Sequence, residues 1–417
     1  MTHRPRLGRP LAGLLAADVI STAGTEMAAV ALPWFVLVTT GSPARMGAVL
    51  AVEYLGISVL GLWGGPLATR LGPWRTMLVA DLARAALVGL VPLLYRMGGL
   101  SFGVLLLIGF VVGSFFPAYS SAHRLLLAGL VSDDELRLTR IGGLANSVNE
   151  TASFVGPAVG GTLVAVLGPV TVLVLDAASY LCAFVLVATL VPAASRPDGT
   201  DAAGAGGVLA GLRYLFRHRV LRGQVLGVGL VVVGWTAMMA TLPVVALRHG
   251  GPATAGWLIG AYGAGSVLGG LLSTRARRVG GATAGWAVAG IAASTWLLPL
   301  PLPVWALAGA VAANGIGAGL FFPRFFAALT TGTPVGLRAR VMTSVNIAIS
   351  APGPLGYFGA GLLAQRGGGA TRPGLLLAAV VTTLGAGVVV RALTVTRPGG
   401  HSGDQARVAH AVPKEGT

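Results

Sequence analysis

Six carboxylates stand inside otherwise apolar runs: Asp18, Glu26, Glu53, Asp81, Glu150 and Asp176. An ionisable side chain is expensive in hydrocarbon, so each is a functional candidate. All six fall in the first half of the chain, and no Asp or Glu occurs between Asp201 and Asp404. Any carboxylate that carries protons within a membrane must therefore belong to the first half. Glu26, near the middle of the first run, is the leading proton carrier; the alternative is a neutral carboxyl bonded to a neighbouring helix. Asp18, two turns earlier, either lines the same pathway or is an interfacial acid beside the basic terminus. Glu53, next to Tyr54, either lines a cavity or pairs structurally. Asp81 and Arg84 share a helix face and can neutralise one another, an arrangement that extends to Arg70 if the loop folds back. Glu150 and Asp176, near span ends, read as solvated or capping groups, and Arg324 as snorkelling toward headgroups or facing an anionic substrate.

Trp34, Trp235 and Phe322, with the amides Asn149 and Asn346, are candidates to line a substrate cavity. Interfacial anchoring by tryptophan and hydrogen bonding between helices by asparagine are the competing readings. Other chemistries lack their residues. The single lysine, Lys414, sits in the tail, so there is no phosphate loop of the G-x-x-x-x-G-K-[ST] form and no ATP-driven cycle in this chain. The histidines lack metal-ligand spacing, and the one cysteine, Cys182, forms no disulfide framework and reads as core packing. Neither a metal nor a cofactor is expected, and no nucleophile and base are paired as in an enzyme.

The elements that must carry these groups follow from composition. Of 417 residues, 54% are hydrophobic and only 10% charged, against roughly a quarter charged in a soluble domain. Mean hydropathy is +0.80. Crossing a bilayer takes about 20 apolar residues. Runs of that order cover 12–39, 46–68, 74–95, 101–123, 141–167, 169–191, 222–247, 253–274, 282–299, 303–330, 340–364 and 372–393. The first is longer than a signal-peptide core and is expected to be retained. The net charge of +16 is spread over short loops rather than collected on one face, which argues against nucleic-acid binding.

Arginine placement sets the orientation. Arg4, Arg6 and Arg9, the pair Arg70 and Arg75, the triplet Arg275, Arg277 and Arg278, and the pair Arg338 and Arg340 all fall on one side of an even number of spans. By the bias of basic loops toward the cytoplasm, both termini are expected there, in a cell-membrane protein. The stretch from Pro192 to Gly207, PAASRPDGTDAAGAGG, is too polar to span and reads as a flexible linker. The expected organisation is a six-helix bundle over 1–192, a cytosolic linker over 193–215, a second six-helix bundle over 216–398 and a cytosolic tail over 399–417.

The halves repeat one another. Gly113-Ser-Phe-Phe-Pro117 is matched by Gly319-Leu-Phe-Phe-Pro323, and Ser147-Val-Asn149 with Gly156-Pro157 by Ser344-Val-Asn346 with Gly353-Pro354. Pro43-Ala44 with Gly47 likewise corresponds to Pro252-Ala253 with Gly256. Such repeats are a transporter plan with a substrate site between the halves. The fold class expected is an all-α membrane protein of twelve transmembrane helices in two pseudo-symmetric six-helix bundles.

The loop after the second span, GPLATRLGPWR, resembles the signature of the major facilitator superfamily: Gly65, Arg70, Gly72 and Arg75 fit, and Thr69 stands where that family has aspartate. Gly156, Pro157, Gly160 and Gly161 resemble the glycine-proline motif of its antiporter branch, and Asp81-Leu-Ala-Arg84 adds to the likeness to bacterial exporters of drugs, macrolides or siderophores. The resemblance implies a monomeric secondary transporter, embedded in membrane lipids, that exports a small molecule in exchange for protons by alternating access. The alternative is an importer of a small nutrient.

Overall fold

The structure is a computed structural model that describes residues 8–131, 135–193, 205–275, 281–334 and 337–394. Every regular element among them is helical, in the order α1 (Arg9–Thr40), α2 (Pro43–Leu71), α3 (Pro73–Arg96), α4 (Phe102–Val131), α5 (Glu135–Leu167), α6 (Pro169–Leu190), α7 (Ala205–Arg217), α8 (Arg219–Arg248), α9 (Pro252–Arg275), α10 (Gly281–Leu297), α11 (Val304–Thr331), α12 (Arg338–Ser350), α13 (Gly353–Arg366) and α14 (Arg372–Thr394). Eleven segments are long and apolar enough to cross a membrane, with α12 and α13 counted as one bent span over Arg340–Arg366. The twelfth is α10, whose shorter apolar stretch covers Ala284–Thr295. The protein is a multi-pass membrane protein of twelve spanning segments in two six-helix bundles. The tail beyond residue 394, the chain before residue 8 and residues 194–204 lie outside the described residues.

The span boundaries follow the chemistry of the chain. Proline occupies the first turn of α1, α2, α3, α6 and α13, where its missing amide costs nothing. Gly72, at φ +84°, lets the chain turn between α2 and α3 in a conformation other residues reach only with strain. A helix, α7, stands within the stretch expected to be a linker. The eleventh span bends where Pro352 and Pro354 remove amide donors between α12 and α13.

The two halves pack alike. In the first, α1 lies against α5 and α6, α2 against α4, and α3 against α4 and α6. In the second, α8 lies against α13 and α14, α9 against α11, and α10 against α11 and α14. The repeated motifs do the same work in each. A Cβ on Gly113 would strike the backbone oxygen of Glu53 in α2, and one on Gly319 that of Ser266 in α9.

Between the halves, α2 meets α13 and α5 meets α9. Both crossings are glycine on glycine. A Cβ at Gly47 would lie 3.1 Å from the Cα of Gly361, and one at Gly161 would lie 2.8 Å from the Cα of Gly256. These contacts sit near the end of the molecule away from the two termini. At the opposite end, Glu150 of α5 and Asn346 of α12 are exposed. The closest contacts between the bundles therefore lie away from the face where the described chain begins at Gly8 and ends at Thr394.

The packing within a half yields a stability test. A Cβ at Gly265 would collide with the backbone oxygen of Ala312, whereas one at Gly270 would meet nothing within 4 Å. Gly265→Val is expected to lower stability by about 1–3 kcal/mol through overpacking, and Gly270→Ala not to lower it, as read by thermal unfolding in detergent.

Candidate functional site

A cavity of about 300 Å³ lies between the bundles, walled by α1, α2, α3, α4 and α6 on one side and α8, α9 and α13 on the other. Most of its lining is apolar, including Leu32, Leu50, Ile57, Val88, Ile108 and Met239. Four charged side chains interrupt that surface: Glu26, Glu53, Arg84 and Asp176. Three tyrosines, Tyr54, Tyr180 and Tyr357, with Trp235 and Thr25, complete its polar and aromatic part.

Glu26 is positioned by the glycines of α5. A Cβ on Gly156 would overlap the Cβ of Glu26, and one on Gly160 would lie 2.7 Å from the Cα of Met27, so α1 and α5 approach to backbone contact there. At that distance Ser153 Oγ donates to Glu26 Oε1 at 2.9 Å. Pro157, one turn on, is buried within the same helix. The glycine-proline segment thus serves two partners, α1 through Gly156 and Gly160, and α9 through Gly161.

Arg84 is the centre of the second group. It is 4% exposed, and its guanidinium lies 4.1 Å from the ring centroid of Tyr180 and 5.7 Å from that of Tyr119. Its Nη2 donates to the Tyr180 hydroxyl at 2.6 Å. Thr25 Oγ1 lies 2.8 Å from the same hydroxyl and gives its own proton to the Ser21 carbonyl at 2.9 Å. One hydroxyl has one proton, so Tyr180 must donate to Thr25, and the bonds run in a single direction from Arg84 to the backbone of α1. Glu53 from α2, Asp81 from α3 and Asp176 from α6 all lie within electrostatic reach of Arg84. Three carboxyls surround one guanidinium.

Several placements differ from the expectations. Arg84 spans across to Tyr180 rather than closing on Asp81, whose two carboxyl oxygens have no hydrogen-bond partner among the described residues. Asp176, expected as a solvated or capping group, is 2% exposed and lines the cavity, whereas Glu150 is exposed. Asp18 lies outside the cavity wall and faces His123, whose Nε2 lies 3.8 Å from Asp18 Oδ1. Of the neutral candidates, only Trp235 lines the cavity, its ring tilted at 45° to that of Tyr262 with centroids 6.0 Å apart. Trp34 packs into the hydrophobic core, Phe322 packs with Phe321 and Phe326, and Asn346 is exposed. Asn149 accepts from Thr22 at 3.3 Å and so ties α5 to α1. Cys182 is exposed rather than packed in a core. Arg324 Nη1 donates to the Leu320 carbonyl of its own helix at 3.1 Å.

The loop after α2 is closed locally. Gly65 ends up within α2, Thr69 Oγ1 donates to the Pro66 carbonyl at 3.0 Å, and Arg70 and Arg75 are exposed on either side of Gly72. Trp74 Nε1 donates to the Val191 carbonyl at 2.9 Å, which pins the start of α3 to the end of α6.

Tyr54, Tyr180, Tyr357 and Thr25 were not among the candidates read from the sequence. For Tyr180 a signal was available: it falls four residues after Asp176, on the same helix face. Tyr54 and Tyr357 meet edge to face at 5.7 Å across the two halves, a contact that no spacing within one helix reveals.

A model of transmembrane secretion effectors matches residues 9–412. The chain belongs to this family of major facilitator superfamily transporters. Members of the transmembrane secretion effector family transport rather than catalyse. Curated relatives include the multidrug efflux pump Tap of Mycobacterium tuberculosis, 30% identical over 370 residues, which cover 85% of this chain and 87% of that protein. The Tap pump of Mycolicibacterium fortuitum is 29% identical over 372 residues, covering 86% and 90%. Among solved structures, a POT family transporter in complex with 5-aminolevulinic acid shares the fold at a TM-score of 0.73 and 11% identity, with 94% of this chain and 97% of that one covered. The nucleoside transporter NupG does so at 0.71 and 12%, covering 93% and 99%. A bacterial homologue of ferroportin in an inward-facing state does so at 0.65 and 16%, covering 92% and 98%.

Removing the cation at the centre of the carboxyl group tests the electrostatic account. Arg84→Leu leaves buried acids without their counter-charge and is expected to cost about 3–5 kcal/mol of stability. Arg84→Lys, which keeps the charge but loses the planar fork, should fall between Arg84→Leu and the parent in thermal unfolding in detergent.

Proposed function

We propose that this protein exports small molecules across the cell membrane by proton antiport, working as a monomer with both ends of the chain in the cytoplasm. The carrying observation is the joint presence, in one largely apolar cavity, of a serine-held Glu26 and the Glu53, Asp176 and Arg84 group. An apolar cavity accepts lipophilic cargo, and its few ionisable groups give protons and cargo something to compete for.

The cycle begins with the mouth toward the termini, where cargo enters from the cytoplasm and settles between Glu26 on one wall and Trp235 and Tyr357 on the other. Cargo that displaces the proton of Glu26 stabilises a state in which the bundles rock the other way. Rocking breaks the Gly47 to Gly361 and Gly161 to Gly256 contacts and opens the far side. A proton arriving there returns Glu26 to its neutral form and favours the original arrangement, because a ligand shifts a two-state equilibrium only by binding one state better. Arg84 keeps Glu53 and Asp176 in place on α2 and α6 while α1 exchanges the proton. The relatives named as multidrug efflux pumps support the outward direction. Fold alone does not fix it.

The decisive experiment uses proteoliposomes containing an internal pH dye, with ethidium and a panel of antibiotics as probes. The parent is expected to exchange probe for protons. Glu26→Gln, which preserves the bond to Ser153, should reduce probe-dependent proton flux at least about ten-fold, as loss of a coupling group does. Unchanged flux in Glu26→Gln removes Glu26 from the mechanism, and absence of any response to an imposed proton gradient removes antiport. Cells that express the protein should hold less probe than controls; more would make it an importer.

A further inference from the structure

The helix α7 is unlike the spans. It has 13 residues, AGGVLAGLRYLFR, and packs along α12, with a weaker contact to α2 in the other half. Its packed side is small and apolar. Leu215 is 2% exposed, and a Cβ at Gly211 would lie 2.5 Å from the Arg340 backbone oxygen. The other side carries Arg213, Phe216 and Arg217, all exposed, Phe216 to 54%. The exposed arginines continue without a break in the fold: Arg219 and Arg222 open α8, and Arg340 lies on α12 beneath α7.

Among the described residues none of these guanidiniums has an acidic partner, and the sequence holds no Asp or Glu between Asp201 and Asp404. The patch is thus strongly basic among the described residues and open to an anionic partner. Their height is set by α8, whose apolar run begins at Val225, less than one turn past Arg222, so the patch stands where hydrocarbon gives way to headgroups. An exposed phenyl ring among arginines at that level matches a helix lying in the interface, with its ring in the acyl boundary and its charges on phosphates.

We propose that α7 is a docking surface for anionic phospholipid in the leaflet on the terminal face. Arg213, Arg217, Arg219 and Arg222 engage the headgroup phosphates and Phe216 inserts below them. Because α7 holds α12 and touches α2, lipid bound there acts on both halves at the mouth of the cavity. The inference stands independently of the direction of transport or the identity of the cargo.

The test uses the full chain in nanodiscs, with Phe216→Cys in a Cys182→Ser background and a bimane label on the new thiol. In bilayers of phosphatidylcholine with phosphatidylglycerol, brominated acyl chains should quench the label and aqueous iodide should not. Each of Arg213→Gln and Arg217→Gln should raise the amount of phosphatidylglycerol needed about five-fold, as expected per basic residue near an anionic surface. An unchanged gel-filtration profile and melting temperature would show that these variants still fold. Quenching that is equal in pure phosphatidylcholine, or unmoved by the arginine substitutions, overturns the proposal. So does a label open to iodide in every bilayer, or one shielded only when an acidic protein or RNA is added, either of which would make α7 a surface facing water.

Discussion

The architecture depends on how closely helices can approach in lipid. Hydrocarbon gives no hydrophobic reward for bringing two apolar helices together, so association rests on packing and on hydrogen bonds. The chain meets that constraint by placing glycine wherever a crossing is tightest. Gly47 against Gly361 and Gly161 against Gly256 bring the two halves to backbone contact on the far side. The same device brings α5 against α1 so closely that Ser153 reaches Glu26. Among the described residues no ion pair bridges either crossing, which rests on packing. The charged groups are left free to decide when opening happens rather than to hold the gate shut.

The electrical organisation is lopsided. The first bundle carries every buried carboxyl, with Arg84 as their shared cation and Asp18 facing His123 nearer the terminal face. The second bundle brings to the cavity only aromatic and aliphatic surface, from Trp235, Met239, Ile259 and Tyr357. A pseudo-symmetric fold thus holds an asymmetric site, with the chemistry on one side and an adaptable apolar wall on the other. An apolar wall discriminates poorly between cargoes of similar size, which suits a cavity meant for more than one.

Much of the fold was legible from hydropathy, because the bilayer imposes a length that soluble cores do not. The duplicated glycine and proline motifs gave the register of the halves, and their packing roles match. The carboxylates also stood out, since Glu26 and Glu53 are costly where they are. What the sequence withheld was azimuth. Trp34 and Phe322 lie at depths fit for a cavity but point into cores, while Tyr357, on α13 past the break after α12, lines the site. The rule of spacing by three paired Arg84 with Asp81, yet a side chain of that length can cross to the next helix and did so. The helix α7 hid inside a run rich in glycine and alanine whose polarity suggested no regular structure.

The one-way chain from Arg84 through Tyr180 and Thr25 to the Ser21 carbonyl has a further consequence. A proton wire must be able to reverse its polarity, each hydroxyl passing on one proton as it receives another. Here the first donor is a guanidinium, which does not surrender its proton in a protein, and the last acceptor is a peptide oxygen. The chain is therefore a strut that fixes the cation between α3, α6 and α1. It offers no relay to Glu53 or Asp176, which line the cavity beside it.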